Sequence, residues 1–167
     1  AVGSMMSLLR YAIQPNLVQT LEGQPVLVHT GPFGNIAHGC NSVVADRLAL
    51  GYSDFVVTEA GFGADLGFEK FMHIKARFND LEPDVVVLVS TIRAVKFHGG
   101  VKLRDLETPN ENAVAKGVSN VEHDVELVRS FGLPVIVAVN RFPTDTPGEV
   151  EIVKHRAEQA GAIATVE

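Results

Sequence analysis

Apolar positions in this chain follow two patterns. Four short runs are nearly continuous: Pro25 to Thr30 (PVLVHT), Phe55-Val56-Val57, Asp84 to Ser90 (DVVVLVS) and Pro134 to Asn140 (PVIVAVN). Each reads as a buried strand. Between them apolar residues return at helical spacing. Met5, Met6, Leu8, Leu9, Ala12 and Ile13 form a stripe that Pro15 interrupts, and Leu17, Val18 and Leu21 continue as a second short helix to Gly23. Residues 36–50 predict a helix with Ala37, Cys40, Val43, Val44, Leu48 and Ala49 inward. Asp65 is placed to cap another, with Leu66, Phe68, Phe71, Met72 and Ile74 inward. Residues 101–120 are polar and irregular, with a helix start at Thr108-Pro109-Asn110. Amphipathic helices then cover 118–131 and 148–160, and the closing Gly161-AIATVE reads as a strand. Strand runs alternating with helices predict an α/β fold with a mostly parallel sheet, buried on both faces and flanked by helices. No repeat or linker breaks residues 1–167, so one segment without an internal boundary is expected.

The chemistry gathers after the strands. Phe55-Val56-Val57 runs into Thr58-Glu59-Ala60-Gly61-Phe62-Gly63 and then a helix start. Glycines let backbone N–H groups approach an anion, and a helix N-terminus favours one. Glu59 could orient a metal ion or a water, and Phe62 is either a local plug or a stacking surface. The other strand ends carry HTGPFGNIAHG, TIRAVKFHGG and NRFPTDT. In an open parallel sheet such loops converge on one edge, where ligands bind.

Composition narrows the classes. The chain is 46% hydrophobic and 20% charged with a net charge of −6, an ordinary globular balance without the basic footprint of a nucleic-acid binder. The single cysteine, Cys40, precludes an internal disulfide and fits a reducing, cytoplasmic compartment. No apolar run reaches the length of a membrane span, and the opening residues do not read as a signal peptide. The first residues read as a helix entered midway, so an internal piece of a longer protein is expected.

Gly61 to Gly67 spaces its glycines as GxGxxxG, not the dinucleotide GxGxxG, and Ser90 stands where a ribose-binding carboxylate would be needed. A strand ending in Glu-x-Gly is closer to the second acidic motif of P-loop nucleotidases. GxxxxGK[ST] itself is absent, and Gly99-Gly100 with Lys102 does not supply it. His29 and His38 flank the first loop as packers or as acid–base groups, at a spacing that makes no metal site. Arg93, Lys96 and His98 form a cationic group suited to an anion or simply to solvent. Asn140 ends a strand where an amide can read a base edge. Phe142-Pro143 beside it makes a flat apolar ledge, which with Phe62 could clip an aromatic heterocycle or pack under the loop.

Together PNLVQTLEGQPVLVHTGPFGNIAHGCNSV, VVTEAGFGADLGFEKF, VLVSTIRAVKFHGG and NRFPTDT cover almost the whole chain, and it resembles formate–tetrahydrofolate ligases. Ser90, Val95 and Gly34 depart conservatively from the family's pattern. The resemblance implies a P-loop-class three-layer fold whose P-loop lies before residue 1, and a longer, homotetrameric parent. It implies formate, MgATP and tetrahydrofolate as substrates, and leaves a monovalent cation open. Formate would attack the γ-phosphate to give formyl phosphate, and N10 of the folate would take the formyl group. By the same resemblance Phe62, Phe142 and Pro143 form the folate clip, and Glu59 and Gly61 lie at the phosphates. His38, in preference to His29, lies near formyl phosphate; from their own positions, Arg93 is expected to handle the anion and Asn140 the nucleotide. The piece alone is expected to be inactive. A non-catalytic pterin- or nucleotide-binding homologue and another P-loop-class nucleotidase are the alternatives.

Overall fold

The computed structural model describes residues 1–30, 40 and 42–167. The chain forms two compact units, Ala1–Glu82 and Pro83–Glu167.

The second unit is α/β. Strands β3 (Val86–Thr91), β4 (Val135–Asn140) and β5 (Ala164–Val166) form a parallel sheet in the order β3-β4-β5. Helices α4 (Ile92–His98), α5 (Glu111–Gly117), α6 (Ser119–Ser130) and α7 (Pro147–Ala160) connect them. β-Branched residues dominate its core: Ile92, Val114, Val125, Val137 and Val153 are buried. Asn110 caps α5 by accepting from the Ala113 N–H. Thr146 and Glu149 form a reciprocal capping box on α7, Pro147 occupies its first turn, and Gly161, at φ +105°, closes it. The expected burial on both faces is only partly met: β4 buries Val135, Val137 and Val139 but leaves Ile136 and Ala138 half-buried, and β3 exposes Val87 and Val89. β3 forms the edge of this unit's sheet, with one strand neighbour instead of two.

The first unit departs further from the sequence pattern. α1 (Val2–Ala12) forms as expected, but none of its residues is buried, the Met5-Met6-Leu8-Leu9 stripe included. Leu17 and Val18 lie in a strand, not a helix. β1 (Asn16–Gln19) and β2 (Pro25–Val28) make an antiparallel hairpin, turned at Gly23 with φ +90°. PVLV therefore pairs antiparallel with its neighbour in sequence, because the short Thr20–Gln24 turn brings the two together. Phe55-Val56-Val57 is no strand, and Phe55 and Val57 are almost fully exposed. An apolar run becomes a strand only with a ladder partner for its backbone, and these residues have none among the described residues.

α2 (Val43–Leu50) starts at the Ser42 cap and buries Ala45 and Asp46, not Val44 and Leu48. The expected start of this helix, from residue 36, falls mostly outside the described residues. After residue 62 come two π-helical stretches, Gly63–Phe68 and Phe71–Ala76, and a final turn α3 (Arg77–Asn79). Asp65 lies within the first turn and does not cap it. The wider π turns bring Ala64, Phe68, Phe71 and Lys75 inward and leave Leu66 and Ile74 exposed.

Candidate active site

In the second unit the sheet register brings two strand ends level. Thr91, the last residue of β3, pairs with Asn140, the last residue of β4. Arg93 and Phe142 each follow two residues later. Their side chains meet, with the guanidinium carbon 4.2 Å from the ring centroid. Arg93 also donates to Glu107 at 3.0 Å, while its buried Nε–H has no partner among the described residues. Pro143 and Asn140 are exposed beside this stack. Asp145 holds the ledge from below. One carboxylate oxygen accepts the Phe142 N–H at 2.8 Å, and the other is buried without a partner among the described residues.

TIRAVKFHGG is mostly helix, not loop: α4 begins one residue after β3 ends, capped by Thr91, which accepts from the Ala94 N–H. That placement separates the expected cationic group. Arg93 is half-buried and His98 exposed, but Lys96 is fully buried. Lys96 lies 3.2 Å from Glu149, itself fully buried, and donates to the Thr108 carbonyl at 3.2 Å. Burial alone pushes the Glu149 carboxyl up. Hydrogen bonds from the Asn110 and Thr146 N–H groups, Lys96 and the Thr146 hydroxyl outweigh it, and hold the carboxyl below its ordinary value. Gly99 and Gly117 serve packing, since a Cβ on Gly99 would strike the Ala113 carbonyl and one on Gly117 the Val95 carbonyl.

In the first unit, Glu59 is exposed and Gly61 turns the chain at φ +106°. Phe62 is 81% exposed, so its ring is not a local plug. Gly61 lies directly on Gly67, where a Cβ would come 2.5 Å from the Gly61 carbonyl carbon. Beneath the turn, Lys75 pairs with Asp46 at 2.6 Å with both side chains buried, and reaches the Thr58 hydroxyl at 3.5 Å. Cys40 donates to the Ala60 carbonyl and clusters with Phe71 and Ala76, and burial pushes its thiol up.

His29 is buried with both ring nitrogens engaged. Nε2 lies 3.0 Å from the Ala12 carbonyl and Nδ1 2.6 Å from the Ser42 hydroxyl. A carbonyl only accepts, so Nε2 carries the proton, and in the neutral ring Nδ1 accepts from Ser42. Thr30 follows at φ +69°, a strained conformation for a β-branched residue, immediately before the first loop. His38 lies outside the described residues. Among the described residues no three His, Cys, Asp or Glu side chains gather as a metal ion would need, and no helix is long and apolar enough to cross a membrane.

Sequence reasoning had not singled out Glu149, Asp145 or Glu107. Lys96 could have been placed correctly: with Ile92 and Val95 it occupies the inward face of a helix.

A family model described as formate–tetrahydrofolate ligase matches residues 1–167. Curated proteins of that name are similar over nearly the whole chain. The relative from Sphingobium sp. is 58% identical over 166 residues, covering 99% of this chain and 30% of its own length. The one from Hyphomonas neptunium is 59% identical over 161 residues, covering 96% and 29%. The one from Bacillus pumilus is 57% identical over 152 residues, covering 91% and 27%. The chain thus spans about 30% of the length of the relatives it matches.

Proposed function

Because this chain belongs to the formate–tetrahydrofolate ligase family, we propose that it is part of an ATP-dependent enzyme that joins formate to tetrahydrofolate. The observation that carries this reading is the similarity, at 58% identity over 99% of the chain, to a relative of that name. On this reading formate attacks the γ-phosphate of MgATP, giving formyl phosphate and ADP. N10 of the folate then attacks the formyl carbon and phosphate leaves.

The residues suit these roles. A pterin is flat and partly apolar, and the exposed Phe62 ring and the Phe142-Pro143 ledge offer flat apolar surfaces for stacking. Arg93 keeps an unspent Nε–H, the kind of donor that holds an anionic intermediate. Glu59 is an exposed carboxylate two residues before the Gly61 turn, suited to an ATP-bound magnesium or its water. Asn140, exposed at the end of β4, is free to read the nucleotide. With both His29 nitrogens engaged internally, His38 is the histidine we assign to formyl phosphate.

Both units are read as parts of one P-loop-class α/β segment in a longer, homotetrameric, cytoplasmic parent acting on small molecules. The test is direct. The purified full-length parent should form 10-formyltetrahydrofolate only when ATP, Mg²⁺ and formate are all present. Tight pterin or nucleotide binding without turnover would support a non-catalytic homologue instead.

A further inference from the structure

Lys96 and Glu149 are the largest charged side chains buried without exposure in the second unit. An isolated buried ion pair is a poor stabiliser, because desolvation consumes most of the attraction and two apolar residues of similar volume often do as well. Apolar residues could not make the remaining bonds of this pair. One Glu149 oxygen accepts the Asn110 N–H at 2.8 Å; the other accepts the Thr146 N–H at 2.9 Å and its hydroxyl at 3.1 Å. Lys96 adds the Thr108 carbonyl. Two irregular segments, before α5 and before α7, are thereby tied to α4. All three carry a piece of the ledge. Arg93 lies one turn before Lys96, Glu107 precedes Thr108, and Phe142 hangs on Asp145, next to Thr146.

We infer that the buried Lys96–Glu149 pair is a positioning device, which fixes both segments against α4 so that Arg93 stays stacked on Phe142 in the geometry that receives the folate. This rests on the reading of the ledge as a folate surface. Neither residue touches substrate; both act through Phe142 and Arg93.

The experiment uses the full-length parent and three variants: Lys96→Met/Glu149→Leu, Glu149→Gln and Phe142→Ala. The double variant removes both charges at similar volume. It leaves the Asn110 and Thr146 N–H groups and the Thr108 carbonyl without these partners, so it should melt below wild type. While folded it should raise the KM for tetrahydrofolate about ten-fold or more, since small misplacements near a site are costly, with the KM for ATP within two-fold. Its amide exchange should quicken in peptides covering residues 103–110 and 141–146. Glu149→Gln keeps an acceptor oxygen and should show an intermediate rise, which reads the inference even if the double variant does not fold. A folded double variant, or failing that Glu149→Gln, with wild-type exchange and wild-type folate KM overturns it, provided Phe142→Ala raises that KM. Quickened exchange with the folate KM unchanged in every variant, Phe142→Ala included, would sink the ledge reading and leave the positioning intact.

Discussion

The Arg93 guanidinium lies over the Phe142 ring at 4.2 Å, joining the loop after β4 to the helix that follows β3. A cation stacked on an aromatic face contributes about 0.5–1 kcal/mol when exposed and about 2 when desolvated. Phe142 also faces the folate on the proposed reading. In the full-length parent, Arg93→Ala and Phe142→Ala should each raise the folate KM, and their effects should not add. A double-mutant cycle on that KM checks this. Strictly additive effects would mean that the two residues work separately.

Phe62 is the cleaner test of stacking, because its exposed ring contributes little to the fold. Phe62→Ala in the full-length parent should raise the folate KM roughly ten-fold, from lost stacking of about 0.5–1.5 kcal/mol and lost apolar contact at about 25 cal/mol per Å². The melting temperature and the KM for ATP should stay near wild type. A lower melting temperature with an unchanged folate KM would show that the ring packs instead.

Gly99 and Gly117 let α4 and α5 touch through their backbones. Either residue changed to Ala should destabilise the chain by about 1–3 kcal/mol, the usual range for overpacking. Gly3→Ala, in open space on α1, should be neutral or slightly stabilising. Urea midpoints of the three variants decide the matter, and equal midpoints would remove the close-approach account.

The depressed Glu149 carboxyl sets a pH dependence. A folded value below the unfolded value, about 4.3, adds stability that is fully present above that pH. The contribution disappears as pH falls through the folded value. The stability gap between wild type and Glu149→Gln should therefore be widest near neutrality and narrow as pH falls below about 4.3. Urea unfolding from pH 7 to pH 3 measures the gap, and one that widens toward acid would reverse the sign of the argument.

Residues 1–167 alone should not make 10-formyltetrahydrofolate. On the proposed P-loop reading, phosphoryl transfer relies on a P-loop lysine and a magnesium-binding hydroxyl, and no GxxxxGK[ST] occurs in residues 1–167. Formation of the product by the purified chain, dependent on ATP and formate, would refute this.

The second unit was largely legible because its signals are local and its strands find partners within it. Thr146, Pro147 and Gly161 bracket α7, and the Val-rich runs of β3 and β4 pair with each other. The first unit was less so. Phe55-Val56-Val57 has the composition of a strand, but composition does not supply a neighbour. Leu17, Val18 and Leu21 fit a helical spacing, while the Glu22-Gly23 turn that folds them into a hairpin is a weak signal. For the candidate site, Arg93 and Phe142 could each be picked out, but their contact depends on the Thr91–Asn140 register, which no single loop reveals. Lys96 read as a surface cation because its partner, Glu149, lies in a distant helix.

The burial of Lys96 also makes it a chemical reporter. With no exposed surface and its ammonium bound to Glu149 and Thr108, it offers no nucleophile to an acylating reagent while the second unit is closed. Exposed amines such as Lys102 and Lys116 react regardless of that state. The rate at which Lys96 becomes acylated, set against those two, therefore counts the openings of α4 from α7, one covalent mark at a time.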